Sequence, residues 1–215
     1  MRGLERIVTL LANVISVVCY PLFIPTYGVA LFCYSYSVQV NPLHWIWILI
    51  AVVGTFVLTC ALPLSAIGIL MLRGKVKDIQ IEDSKERTVP FIYSLCGFGF
   101  WSYLMNSVLH APAYIGLTCI GATVAIGLIA LINRWWKISA HMTGIGGLFG
   151  GLLSYCLGIG AIPTWSTWCT WLIGALVVMY ARLRLNAHTG AQVSAGYLLG
   201  ILCTFLPYYI VSYVV

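Results

Sequence analysis

The chain has 215 residues, 61% of them apolar and 7% charged, with 11 Lys and Arg against 5 Asp and Glu. Soluble domains carry about 25% charged residues, so this sequence cannot cover a water-facing surface. Soluble globular, disordered and coiled-coil classes are excluded, and an integral membrane protein remains.

The charges fall in four groups along the chain: Arg2, Glu5 and Arg6; Arg73 to Arg87; Arg134 and Lys137; Arg182 and Arg184. Between and after them lie the uncharged stretches 7–72, 88–133, 138–181 and 185–215, which are 66, 46, 44 and 31 residues long. A membrane helix needs about 20 apolar residues. The first three stretches therefore predict two spans each, and the last predicts one. Asn41-Pro42, His110-Ala111-Pro112 and the run Gly158 to Pro163 mark the turn within each double stretch. The expected architecture is an all-α membrane bundle of six to seven transmembrane helices, forming one transmembrane domain over 1–215.

Arg2 and Arg6 ahead of an apolar run resemble a signal peptide. The run through Phe32 is too long for a signal's apolar core, so it predicts a retained first helix. Pro21, Pro25 and Pro63 predict kinks in spans one and two. Paired spans return the chain to the face it left, so all four charged groups share one face with the N-terminus. That face holds all 11 Lys and Arg, and the positive-inside rule makes it cytoplasmic. The expected location is a bacterial inner membrane. The eight cysteines form no Cys-x-x-Cys pair and fall almost wholly inside predicted spans, where they act as small apolar residues.

Three polar constellations lie on the charged face. The loop Lys75 to Pro90 is either a solvated connection or a site. Glu82, Asp83 and Glu86 can share a helical face and suit a divalent metal, whereas Lys85 and Arg87 suit an anion. The second is Lys137 to Gly144, where Ser139 predicts an N-cap and His141 falls in the first helical turn, a position that favours anions. The glycines from Gly144 to Gly151 predict close helix packing, with a phosphate cradle as the weaker reading. The third is Arg182 to Gln192. There Arg182 and Arg184 either snorkel or bind an anion, Asn186 is the expected N-cap, and His188 opens the last span. Gln192 lies one turn on from His188 and can accept its ring N–H. Two imidazoles and several guanidinium groups on one membrane face suit phosphoryl transfer. One histidine attacks phosphorus, the other protonates the leaving oxygen, and the cations hold the phosphoryl oxygens.

At these residues the chain resembles the type-2 phosphatidic acid phosphatase superfamily of membrane lipid phosphatases. Ser139-Ala140-His141 is similar to the family's Pro-Ser-Gly-His motif. Arg182-x5-His188-x3-Gln192 is similar to its Ser-Arg-x5-His-x3-Asp motif. Lys85 to Pro90 occupies the place of its Lys-x6-Arg-Pro motif. The resemblance covers about residues 75–210. It implies that His188 is the nucleophile of a phosphohistidine intermediate and that His141 is the general acid. Arg182, Arg87 and Lys85 would bind phosphate with Ser139 and the backbone at Ala140, and neither metal nor cofactor would be needed. The substrate would be a phospholipid or isoprenoid lipid phosphate or pyrophosphate. No nucleic-acid partner is implied, and a homo-oligomer is compatible.

The departures from the family are specific. Gln80 stands where the first motif has Lys, Ala140 replaces the glycine of the second, and Gln192 stands where the third has Asp. An amide can orient His188 but cannot stabilise its imidazolium by charge; the analogous change in the serine-protease triad costs about 10⁴ in rate. A phosphotransferase, or a non-catalytic lipid-binding or transport protein on the same scaffold, are the alternatives. A metal-dependent lipid transferase built on the acidic loop is the third.

Overall fold

The computed structural model describes residues 2–76 and 87–214. Among them every regular element is helical. The helices are α1 (Arg2–Val18), α2 (Ile24–Gln39), α3 (Trp45–Leu72), α4 (Thr88–Tyr103), α5 (Ala113–Ile132), α6 (Ala140–Gly158), α7 (Trp165–Arg184) and α8 (Gly190–Tyr213). A π-helical turn, Leu104–Val108, continues α4. Four of these helices, α3, α5, α7 and α8, are long and apolar enough to cross a membrane. That is fewer than the six to seven predicted spans. Two of the others, α1 and α2, have 17 and 16 residues, and α4 with its π-helical turn and α6 are diluted by glycines, hydroxyls and other polar residues.

The predicted first span is broken rather than kinked. Helix α1 stops at Val18 and α2 begins at Ile24, with Pro25 in its first turn. Pro21 disfavours helix at the residue before it, while Pro25 suits a helix start, where its missing N–H costs nothing. Pro63 is accommodated differently. It follows the π-helical turn Val57–Ala61 inside the continuous α3, and a widened turn absorbs the donor that proline lacks. The three predicted Gly/Pro turns all separate helices in the structure.

Helices α6 and α8 run side by side in the same direction. The α-carbons of Gly146 and Gly150 sit against the backbone of Tyr197 and Ile201, and Gly200 sits against Thr143 and Gly147. A β-carbon at any of these positions would collide with main chain, so the glycines serve close packing. Gly144 faces the side chain of Ile24, which leaves the phosphate-cradle reading without support. Helix α2 lies along another side of α6, with Ile24 near Gly144, Leu148 near Gly28 and Phe32 near Gly151. Thus α2, α6 and α8 all start at one face. The opposite end of the bundle is closed by Phe32, Trp101, Met105, Tyr114, Tyr155 and Tyr208, a buried aromatic-rich core.

Candidate active site

Four helix ends build one polar pocket. Arg87 enters from the start of α4, His141 from the first turn of α6, Arg182 from the last turn of α7, and His188 from the loop before α8. All four side chains are buried, between 4% and 9% exposed. Residues as distant in sequence as Arg87 and His188 are thus brought to one place, because α6 and α8 start together and α7 ends beside them. The pocket counts about 580 Å³ out to its open mouth, and Tyr20, Pro90, Phe91 and Ser94 complete its wall.

Each histidine is held by a backbone carbonyl. His188 Nδ1 lies 3.1 Å from the Lys137 carbonyl oxygen. His141 Nε2 lies 3.0 Å from the Ser16 carbonyl oxygen. A carbonyl only accepts, so each of these nitrogens carries its hydrogen and donates. His188 Nε2 and His141 Nδ1 are then the atoms left for chemistry. Tyr20 meets the His141 ring edge-on, with ring centroids 5.8 Å apart and planes at 88°. The segments that carry the two histidines are tied to one another, since Ser139 N–H donates to the Gln192 carbonyl oxygen at 3.3 Å.

Two expected roles are corrected by this geometry. Gln192 does not orient His188. Its Oε1 accepts from Thr189 N–H at 3.0 Å, while Thr189 Oγ1 accepts from Gln192 N–H at 3.4 Å, a reciprocal capping box. Thr189 is therefore the N-cap of α8. Asn186, the expected cap, sits in the left-handed region with φ +51°, and His188 lies just outside the helix instead of in its first turn. Ser139 is the N-cap of α6, as expected, and accepts from Met142 N–H at 3.4 Å. It is fully buried in that role and does not line the pocket, whereas Ala140 does. Arg87 and Arg182 both line the pocket as expected. Lys85 and the acidic trio Glu82, Asp83 and Glu86 lie outside the described residues. Among the described residues no three His, Cys, Asp or Glu side chains gather as a metal cage.

The carbonyls of Ser16 and Lys137 had no signal in the sequence, because every residue has one. Tyr20 had a weak one: an aromatic residue beside Pro21 at a break in an apolar run. His44 and His110 take structural places. His44 Nδ1 caps α3 by accepting from Ile46 N–H at 3.3 Å, and His110 turns the chain with φ +47°.

Burial, and then the positive charge of Arg182, push His188 down from its ordinary 6.5 to about 4. Both act against the imidazolium, which has to shed water and face like charge. His188 is therefore neutral at physiological pH, with a lone pair on Nε2. Imidazole NMR in detergent should give His188 a titration midpoint of about 4. Arg182→Gln should move that midpoint up, but short of 6.5, because burial remains.

The capping geometry carries a second expectation. Gln192→Ala removes the acceptor for Thr189 N–H, at a cost of roughly 0.5–2 kcal/mol in stability. Any rate constant that depends on His188 should stay within about threefold, since Gln192 does not hold the imidazole and a capping loss acts on folding. A thermal melt read beside a rate assay checks both halves. No family model matches the chain, and no curated protein or solved structure matches it.

Proposed function

We propose that this protein is an integral membrane lipid phosphatase, which removes phosphate from a lipid phosphate or pyrophosphate through a phosphohistidine on His188. The observation that carries the reading is the buried pocket in which two carbonyl-held imidazoles face two arginines. The lone pair of His188 Nε2 attacks phosphorus, and the bond from phosphorus to the lipid oxygen breaks. His141 acts as the imidazolium: its Nδ1 proton passes to that oxygen, while its Nε2–H stays on the Ser16 carbonyl. Water then attacks the phosphohistidine, its proton passes to His141, and the phosphorus–nitrogen bond breaks to release phosphate. Arg87 and Arg182 neutralise charge on the phosphoryl oxygens in both steps. The resemblance of about residues 75–210 to the type-2 phosphatidic acid phosphatase motifs supports the same assignment.

The membrane arrangement that suits this site has seven spans, α2 to α8, with α1 lying on the surface. The Ser16 carbonyl near the end of α1 reaches His141, and α2 starts at that same face, with Ile24 against Gly144. Along α1, Leu4, Ile7, Leu11, Val14 and Val18 are exposed on one side, while Arg6 and Asn13 are exposed on another together with Leu10 and Val17. A lipid-crossing helix would have to strip water from Arg6 and Asn13, whereas a helix in the interfacial plane leaves them wet. With α1 there, every charged group among the described residues lies on the site face. The excess of Lys and Arg assigns that face to the cytoplasm, in a bacterial inner membrane.

The test is phosphate release in detergent from phosphatidic acid, phosphatidylglycerol phosphate, undecaprenyl pyrophosphate and a phosphorylated glycolipid, each with and without excess chelator. Release that persists in chelator supports the histidine route. Release that chelator abolishes moves the chemistry to the acidic loop and a metal. One observation favours a second reading, a lipid-binding protein without turnover: the Nδ1 partner of His188 is a neutral carbonyl and not a carboxylate. Headgroup binding with no release from any of the four lipids would establish that reading instead.

A further inference from the structure

A second cavity lies directly beneath the polar pocket. Helices α2, α3, α4, α5 and α6 close a ring: α2 packs on α3 and α6, α3 on α4, α4 on α5, and α5 on α6. The ring encloses an apolar chamber of about 990 Å³ counted out to its open mouth. The two cavities share Pro21, Leu22, Phe91, Ser94 and Ala140, so the mouth of the chamber is the floor of the histidine pocket.

The chamber is apolar in composition, and of its polar groups the Trp101 indole N–H is buried without a hydrogen-bond partner among the described residues. Among the described residues no charged side chain lines it. The hydroxyls of Thr55, Thr59, Thr118, Thr143 and Thr204 donate to backbone carbonyls one turn back or across to α6. They have no hydrogen left for a ligand. Its deep end is formed by Phe32 and Trp101, both buried in the aromatic core. Phe91 at the mouth and Trp101 at the floor are separated by about 15 Å along α4 at the helical rise. That is half of the roughly 30 Å hydrocarbon core of a bilayer.

A cationic pocket over an enclosed apolar chamber fits an anionic amphiphile taken head and tail into one protein. We propose that the chamber seats one hydrocarbon chain of the lipid phosphate, and that Phe32 and Trp101 set the longest chain taken in whole. The chain is then selected inside the bundle and is not left in the surrounding bilayer. The proposal rests on the phosphatase reading only for the head; the seat for the chain stands on the chamber itself.

The experiment uses the full chain in amphipol without bilayer lipid, with each probe below its micelle concentration, so that its chain comes to the chamber from water. The probes are n-alkyl phosphonates brominated at the chain end, in lengths that fall short of the floor, reach it and exceed it. Their carbon–phosphorus bond makes them inert to hydrolysis. Bromine quenches indole emission at contact, and the Trp101 share is the difference from Trp101→Phe. Matched brominated alcohols form the second arm, and Ala125→Phe, which fills the chamber midway along α5, is the blocking variant. Up to the floor, affinity should tighten roughly fourfold per methylene and then level off. Quenching of Trp101 should peak at the length that reaches the floor. Ala125→Phe should abolish that quenching and level the affinity at a shorter chain, while the shortest phosphonate binds unchanged, which shows the variant folded. Tight phosphonate binding without Trp101 quenching, or an affinity that keeps rising past the floor in both proteins, overturns the chain seat and leaves the head site standing. Equal quenching by alcohol and phosphonate, unaltered by Arg182→Gln, keeps the chain seat and removes the phosphate reading of the pocket above it.

Discussion

Replacing His188 by alanine should lower phosphate release by at least about 10⁴-fold, the scale at which loss of a covalent nucleophile is felt. The reason lies in the placement of the imidazole. Its Nδ1–H is committed to the Lys137 carbonyl at 3.1 Å, which fixes the tautomer and leaves Nε2 as the attacking atom. Burial and Arg182 hold the ring neutral, so the lone pair is present across the physiological range. Brief mixing with a lipid carrying radiolabelled phosphate, followed by denaturation in base, should trap label on the wild-type chain and none on the variant. Phosphoramidates survive base and break in acid, which separates them from phosphoserine. Wild-type turnover in His188→Ala would remove the mechanism outright. The same variant should retain headgroup binding, because Arg87 and Arg182 stay in the pocket.

His141→Gln should cost about 10²–10⁴ in turnover of a lipid monophosphate, the range of a lost general acid. Glutamine is the informative substitution, because its amide N–H can still donate to the Ser16 carbonyl that His141 Nε2 meets at 3.0 Å. The tie between α1 and the site is then kept, and only proton transfer is lost. The cost should depend on the leaving group. An aliphatic alcohol needs a proton as it departs, whereas the lipid phosphate expelled when a lipid pyrophosphate gives up its terminal phosphoryl group leaves readily without one. Measured side by side on the two substrates, the variant should lose much more on the monophosphate. Equal losses on both would mean that His141 only shapes the pocket.

The two variants also separate α1 from the chemistry. Helix α1 contributes no side chain to the phosphoryl step, yet its Ser16 carbonyl holds one of the two histidines. Helix α1 and the His141 imidazole in the pocket are thereby one mechanical unit. Melting or removing α1 would release His141 without altering any motif residue.

Much of this protein is legible along the chain, and the reason is physical. Desolvating a charge in a bilayer is so costly that the 16 charges have to collect at a membrane face. Their spacing predicts Arg87 and Arg182 on one side of the bilayer, with His141 and His188 beside them, and the structure brings the four side chains into one pocket. Gly and Pro break helices locally, so the turns at Asn41-Pro42, His110 to Pro112 and Gly158 to Pro163 are readable, as is the Ser139 cap. The glycines from Gly144 to Gly151 are legible as packing residues, but not their partners, Tyr197 and Ile201. Gln192 shows where reading by spacing fails. Its position one turn from His188 puts both on one helical face, but Thr189 caps α8 and draws the amide back to its own N–H. His188 is then left outside the helix, where the helical spacing no longer applies.

What the sequence determined by itself is therefore everything set by local chemistry: the apolar helical class, the positions of the turns and the identity of the cationic and imidazole side chains that meet in the pocket. Only the tertiary structure decided which atoms hold those side chains and what lies beneath them. The carbonyls of Lys137 and Ser16, the break that frees α1 from α2, and the five-helix ring around the chamber all join segments far apart in the chain. A backbone carbonyl is the same at every residue, and an empty space belongs to no residue. Neither leaves a mark in the sequence, and both decide how a phosphate and its chain would be received.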